Sequence, residues 1–354
     1  MILQRYILRE LFLNFLFAFA VIMALGLVGM TFQGLRTFEG LGPKFLLQLV
    51  PIAAGTLAPW ALLLASCAAA TLVYGRLAAE NEINAMRMSG IHANRMMAPA
   101  VLFGLLLAFA GYAINEYAAP AAHYSHRLLA RESILSLLRL PPPGRQRFAL
   151  GSHTLSYADY QNGRMDRPYL LSFAPGGLQA EYRAVSGTVL VEAGKPPTIV
   201  LSRCSYTRYG PKGDRTEFTA DSDISIPLEI EDITRADRRA PDMGREELLE
   251  TARRTKVPKV RAVALTAYHT RYARALAPMA LILVAVPIGI FVKRASRMAG
   301  LGAALPPLLV YFVLFFLFQG MGEQGRLHPA AAAWTPDAVL AALAVLLTAG
   351  VYRR

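Results

Sequence analysis

The chain has 354 residues, 55% hydrophobic and only 17% charged, where an ordinary soluble domain carries about a quarter charged residues. Its net charge of +13 would suit nucleic acid in a soluble protein. Here, though, charges of both signs crowd into the middle of the chain and long apolar runs fill its two ends. That layout argues against nucleic acid and for a membrane protein with an inserted soluble domain.

The first apolar run, residues 11–31, follows Arg5 and Arg9 and has no small-residue cleavage site, so it reads as a retained helix. The second, residues 45–74, is long and contains Pro51 and Pro59, which predicts a kink or tilt. Residues 97–117 form the third, and 276–292, 301–320 and 338–351 the fourth to sixth. Each is near the roughly 20 residues that cross a hydrocarbon core. Pro306 and Pro307 fall at the start of the fifth, where a proline costs little.

Lys and Arg in the short loops give the orientation. One side collects Arg5, Arg9, Arg76, Arg87, Arg95, Lys293, Arg294, Arg297, Arg353 and Arg354. The other collects the smaller set Arg36, Lys44 and Arg326, with Arg271 and Arg274 at the mouth of the fourth span. Both termini are then expected in the cytoplasm. Residues 1–117 would hold three spans and a cytoplasmic helix within 77–90, residues 118–268 an extracytoplasmic domain with flanking helices, and residues 269–354 three more spans.

The middle segment opens with a helical extension over 121–138 and a breaker at 141–143. Short alternating runs follow, among them "HTLSYADY", "GLQAEYRAVSGTVLVEAG" and "TIVLSRCSYTRYG", with glycine-rich turn signals between them. This is the pattern of an antiparallel sandwich or open barrel. "DMGREELLETARRT" predicts a polar helix leading back to the membrane. Cys67 lies in an apolar run and Cys204 in the β segment, so no disulfide is expected.

Between spans two and three stands "YGRLAAENEINAMRMSGIHANRM", with a helix predicted over 79–89 and Gly90 as its stop. Leu77, Ile83 and Met86 would share a face with Glu82 beside it. Apolar knobs and one carboxylate on a short helix suit docking into a partner's groove. The alternative is a solvated loop lying on the head groups.

Several blocks of this sequence resemble the permeases of lipopolysaccharide export, the LptF/LptG (YjgP/YjgQ) family. They are "QRYILRE" at the start, "APWALLLASC" in span two, "GRLAAENEINAMRMSGI" in the loop, "NEYAAP" after span three, "VPIGIF" ending span four and "HPAAAAW" before span six. They run in order over nearly the whole chain, and the block around Glu82 is the most specific. "LQRYILRE" and the spacing from Arg271 to Pro287 lean toward the LptF side. "AENE" departs from the family's commoner serine or aspartate before the glutamate, and the β segment is similar only in length and strand pattern.

The resemblance implies an α-helical membrane protein of six transmembrane helices with an inserted extracytoplasmic β-jellyroll-like domain, in the inner membrane. It implies an ABC transporter permease that extracts lipopolysaccharide and passes it to a periplasmic bridge. The partners so implied are a second permease of the family, a cytoplasmic ATPase dimer and a single-span periplasmic lipid acceptor. Glu82 would lie on the helix that couples to the ATPase, with Ile83, Met86 and Arg87. Spans one and five would form lateral gates, and Arg36, Lys44, Arg271, Arg274 and Arg326 would meet the phosphates of the lipid head group. An arginine can grip a phosphate with two parallel hydrogen bonds; basic residues at span ends also meet ordinary head groups.

No Walker A motif occurs. Gly194-Lys195 lacks the upstream glycine and runs into Pro196, so ATP hydrolysis is expected in another subunit. His123 and His126 fall at i, i+3, but no further ligands accompany them, so neither a metal nor any other cofactor is expected. Phe312, Phe315, Phe316 and Phe318 in span five suit lipid-facing or packing roles as well as contact with a lipid cargo. Two other functions compete: a membrane-anchored binding or assembly protein that works through its β domain, and a membrane enzyme. The carboxylate-bearing loop helix favours transport over the first. The lack of paired catalytic groups in the spans counts against the second.

Overall fold

The computed structural model describes residues 2–37, 43–139, 141, 143–144, 146–150, 152–174, 177–191, 197–210, 214–228, 238–291 and 297–353. The chain divides into two compact units. A helical unit comprises Met1–Val28, Pro51–Tyr124 and Arg238–Arg354, and a β unit comprises Gly29–Val50 and Ser125–Asp237.

The helices, in chain order, are α1 (Ile2–Thr37), α2 (Pro43–Ala79), α3 (Glu82–Met88) and α4 (Ala93–Ala113). A π-helical turn over Ile114–Ala118 then continues into α5 (Ala119–Arg139). After the strands come α6 (Arg245–Arg254), α7 (Pro258–Phe291), α8 (Arg297–Glu323) and α9 (Pro329–Arg353). Among the described residues, six helical stretches are long and apolar enough to cross a membrane: Ile2–Gln33, Gln48–Ala79, Ala93–Ser136, Pro258–Phe291, Gly302–Glu323 and Pro329–Gly350. Most run beyond the apolar stretches that mark them in the sequence. α7 begins at Pro258, because a helix needs no apolar residue to extend past the bilayer, only a chain without breakers.

Prolines lie inside five of these helices: Pro51 and Pro59 in α2, Pro99 in α4, Pro278 and Pro287 in α7, Pro306 and Pro307 in α8, and Pro336 in α9. Membrane helices tolerate them because neighbouring helices help satisfy the freed backbone groups. Small residues let the helices meet closely. A methyl group on Gly289 would sit 3.0 Å from the Gly75 nitrogen and 3.1 Å from the Thr71 carbonyl, so α2 and α7 touch backbone to backbone. Gly111 of α4 approaches α7 in the same way, 3.0 Å from the Ala275 carbonyl. Around these contacts Ile7, Leu11, Leu63, Tyr74, Phe103, Leu281 and Tyr311 form one buried core.

The β unit is a nine-stranded antiparallel sheet: β1 (Gln146–Leu150), β2 (His153–Tyr157), β3 (Asp159–Gln161), β4 (Arg164–Asp166), β5 (Tyr169–Ala174), β6 (Gly177–Leu190), β7 (Thr198–Tyr209), β8 (Arg215–Ala220) and β9 (Ile224–Pro227). β6 and β7 are its long central pair. The first part of β6 bonds to β5 and its last part to β4, while β7 bonds first to β9 and then to β8. Asn162 and Gly163 both have positive φ and join β3 to β4, as a two-residue hairpin turn requires.

Leu155, Met165, Leu170, Ile199 and Leu201 are fully buried in the core of the β unit, and Leu138 at the end of α5 covers it. Val189 packs against this core and Leu178 does not. Tyr182, Tyr206 and Phe218 are cross-strand neighbours whose rings stack at 4.8 and 6.1 Å between centroids.

Candidate functional site

α3 forms because the helical run of α2 breaks at Glu80 and Asn81. Asn81 takes a left-handed conformation (φ 59), so the helix expected over 79–89 becomes the end of α2 followed by a separate short helix. Its end is fixed by Gly90 at φ +77. Gly90 N–H donates to the Arg87 carbonyl and Ile91 N–H to the Met86 carbonyl, both at 3.0 Å, a Schellman closure of the last carbonyls.

Ile83 and Met86 are buried and join the core shared by Ile7, Leu11 and Leu77. A helix of two turns has one apolar stripe, and the unit's own interior claims it. Asn84, Ala85 and Met88 face outward, Met88 at 91% exposure, with Glu82 and Arg87 half-buried at the flanks.

Glu82 sits in the first turn of α3, where the helix dipole favours a carboxylate. Tyr6 of α1 donates to it at 3.5 Å. Arg76 at the end of α2 ties the same patch together, 3.0 Å from the Tyr6 hydroxyl, 3.2 Å from Glu10 and 3.4 Å from Glu80. Burial, followed by the neighbouring Glu80, raises the Glu82 pKa above the ordinary carboxylate value, and Arg76 only partly offsets this. A carboxylate in that condition gains from a further cation.

The basic residues expected at the opposite ends of the spans are not equivalent. Arg36 and Lys44 fall within α1 and α2, and their side chains lie outside the described residues. Arg271 is buried, 3.8 Å from Glu116 on the π turn, and donates to the Met243 carbonyl. Arg274 lies over the Trp60 ring, 5.3 Å from its centroid, and Trp60 packs on Phe312, Phe315 and Phe316. Those three phenylalanines therefore form an aromatic cluster with α2. Arg326, by contrast, is exposed and lines an open cavity at the ends of α7 and α9.

Sequence reasoning missed two carboxylates inside the helices, one half-buried and one buried. Glu116 was counted as part of a span and not weighed as the partner of Arg271. Asp337 of α9 is buried, and neither of its oxygens has a hydrogen-bond partner among the described residues. It fell one residue before the apolar run at 338–351 and so escaped notice. An inventory of every ionisable residue inside a helix, not merely inside an apolar window, finds both.

Six spanning helices, an inserted antiparallel sheet and a short loop helix between spans two and three define a multi-pass membrane protein with an inserted β domain. The family model described as "Lipopolysaccharide export system permease LptF/LptG" matches residues 5–349, essentially the whole chain, and the chain belongs to that family. It is accordingly an inner-membrane component of lipopolysaccharide export and a transporter subunit, not an enzyme. No curated protein matches the chain.

Proposed function

We propose that this chain is one permease of an ABC transporter that draws lipopolysaccharide from the inner membrane and passes it to a periplasmic bridge, powered by a separate cytoplasmic ATPase. The observation that carries this reading is the family match over residues 5–349, with α3 displayed at the turn between the second and third spans. Both termini and α3 face the cytoplasm, and the β unit faces the periplasm. A second permease of the family covers the apolar faces of α1 and α8, on which Phe12, Leu16, Phe17, Leu309, Val313 and Phe316 are exposed. β8 is exposed along nearly its whole length, which suits an edge that extends into a neighbouring β domain or a single-span acceptor. Arg36, Lys44 and Arg326 each meet head-group phosphates in this reading. Arg271 and Arg274 are engaged within the helical unit, by Glu116 and Trp60.

In this reading the ATPase approaches α3 from outside, receives Met88 as its apolar contact and offers a cation to Glu82. Truncating one partner of a buried interfacial charge pair costs roughly 2–5 kcal/mol. The Glu82→Lys permease, co-expressed with its ATPase, is expected to insert normally and to lose the ATPase on purification. Glu80→Lys, at an exposed position, is expected to keep it. Full recovery of the ATPase with Glu82→Lys would refute the coupling role.

A further inference from the structure

We propose that Asp337 is a proton-binding site inside the helical unit, reached by water along a polar seam between α7, α8 and α9. The site is independent of the export reading, and neither ATP nor lipid is needed to test it.

Asp337 lies about two turns into α9 from Pro329. It is only 9% exposed, and neither carboxyl oxygen has a hydrogen bond or an ion pair among the described residues. α9 packs on α7 and α8, and Asp337 shares its buried face with Ala332, Ala333, Pro336 and Leu340. The charged and titratable groups on those elements are engaged elsewhere or stand further off. Tyr311 of α8 is buried and interacts electrostatically with both Asp337 and Arg274. Arg274 of α7 lies over the Trp60 ring, Arg271 pairs with Glu116, and Glu323 of α8 accepts from Gln319 at 2.7 Å. His269 of α7 is half-buried and interacts with His328. α9 itself carries no other titratable group before Tyr352. An ionised carboxylate in this setting has given up its water without gaining a partner. A protonated one is neutral and keeps an O–H to donate.

A route for water leads to it. Ala262 of α7 and Pro329 of α9 line an open cavity of about 1020 Å³ where the two helices begin. Thr266 and Thr270 follow Ala262 at successive i+4 steps, so all three share one face of α7. Both threonines are buried, and neither hydroxyl has a partner among the described residues. A helical threonine commonly returns its hydroxyl to the carbonyl one turn back. Thr71 and Thr335 do so here, at 3.0 and 2.7 Å; Thr266 and Thr270 do not.

The two helices are level at Thr266. A methyl group on Gly322 of α8 would meet the Ala332 Cβ at 2.7 Å and the Thr266 hydroxyl at 2.9 Å. Pro336 has no N–H, so the Ala332 carbonyl lacks its α-helical donor. About one turn further in, Thr270 and Asp337 follow on their own helices. The seam thus runs from the cavity past two unpaired hydroxyls to an unpaired carboxyl. Buried water bridges groups of this kind, and a hydroxyl can accept one proton while donating another. A metal ion fits less well. Among the described residues no group of three or more His, Cys, Asp or Glu could hold one. One carboxylate with two hydroxyls also falls short of the roughly six oxygens a hard cation gathers.

The test uses the full-length chain in neutral detergent, with two readouts. Dicyclohexylcarbodiimide is an apolar reagent that takes the proton of a carboxylic acid onto nitrogen while the carboxyl oxygen adds to its central carbon. It therefore marks acids that are protonated. Peptide mass spectrometry should find the adduct at Asp337 at neutral pH, and not at exposed Glu80 or Glu217. Labelling of Asp337 should be lost at alkaline pH. Infrared difference spectra of the wild type against Asp337→Asn should show a carboxylic-acid C=O band in the wild type alone. Asparagine mimics the neutral acid, so this variant should melt at the wild-type temperature. In D2O the band should shift, about tenfold more slowly in Thr266→Val/Thr270→Val, which lacks the hydroxyl relay. Thr266→Ser/Thr270→Ser, which keeps both hydroxyls, should exchange at the wild-type rate.

An acid band assigned to Asp337, with its adduct, supports the site. No band difference between the wild type and Asp337→Asn overturns it, whatever the reagent reaches. Loss of the band and the adduct in sodium chloride but not in choline chloride makes the ligand a metal cation and overturns the proton assignment. Unchanged exchange in Thr266→Val/Thr270→Val overturns the seam.

Discussion

Glu82 and Arg271 are both charged residues near helix ends, and the fold uses them in opposite ways. Arg271 is enclosed, with Glu116 and the Met243 carbonyl as partners, so its charge joins α7 to the π turn and to the segment just before α6. Glu82 stays half-exposed with a raised pKa and a 3.5 Å hydrogen bond from Tyr6. The residue type was legible in the sequence in both cases, and the partner was not, because Glu116 is far away in the chain.

Glu181 on β6 shows the same dependence on partners within the β unit. Burial pushes its pKa up, but hydrogen bonds from Tyr209 at 2.9 Å, from Tyr169, and from Arg183 at 2.7 Å outweigh it and hold it below the ordinary value. With the folded pKa depressed, the stabilisation is present above the unfolded value of about 4.5 and is lost as pH falls through the lower folded value. Glu181→Gln is therefore expected to weaken the β unit at neutral pH and to flatten its pH dependence below about pH 4.5. Hydrogen exchange of β6 and β7, corrected for intrinsic rates, reads this. An unchanged acid dependence would show that Glu181 does not contribute.

Among elements, the six spans and the strand-rich middle were legible because apolar length and period-two alternation are local properties. Their limits were less so. α1 and α7 run well past their apolar windows, and the loop between the second and third spans holds a break at Asn81 that helix propensity alone does not signal. Asn162-Gly163 was a readable hairpin signal that the strand reading passed over. The inward turn of Ile83 and Met86 could not be read, since a stripe of apolar residues does not say whether it faces its own core or a partner.

The proposed orientation puts α3 in the cytoplasm and the sheet in the periplasm, and labelling reads each directly. Cysteines introduced at Met88 and Glu217, both exposed, should label from the cytoplasmic and periplasmic sides respectively. Native Cys67 and Cys204 are buried and free, so background labelling should be low. Labelling of both sites from one side would invert or break the topology.

For the molecule as a whole, the most apolar window of α1 is only 17% buried and those of α8 and α9 only 28%, against 72% for α2. α2 is the most interior of the spans, and α1, α8 and α9 are left with apolar faces that either lipid or a second permease must cover. The family match and these open faces together make the chain one part of a larger export machine. The direct test of that claim is ATP-driven release of lipopolysaccharide from proteoliposomes containing this chain, its partner permease, the ATPase and the single-span acceptor. Transfer to the acceptor should require ATP, should stop when this chain is omitted, and should fall sharply with Glu82→Lys. Transfer that proceeds at the full rate without this chain would contradict the account.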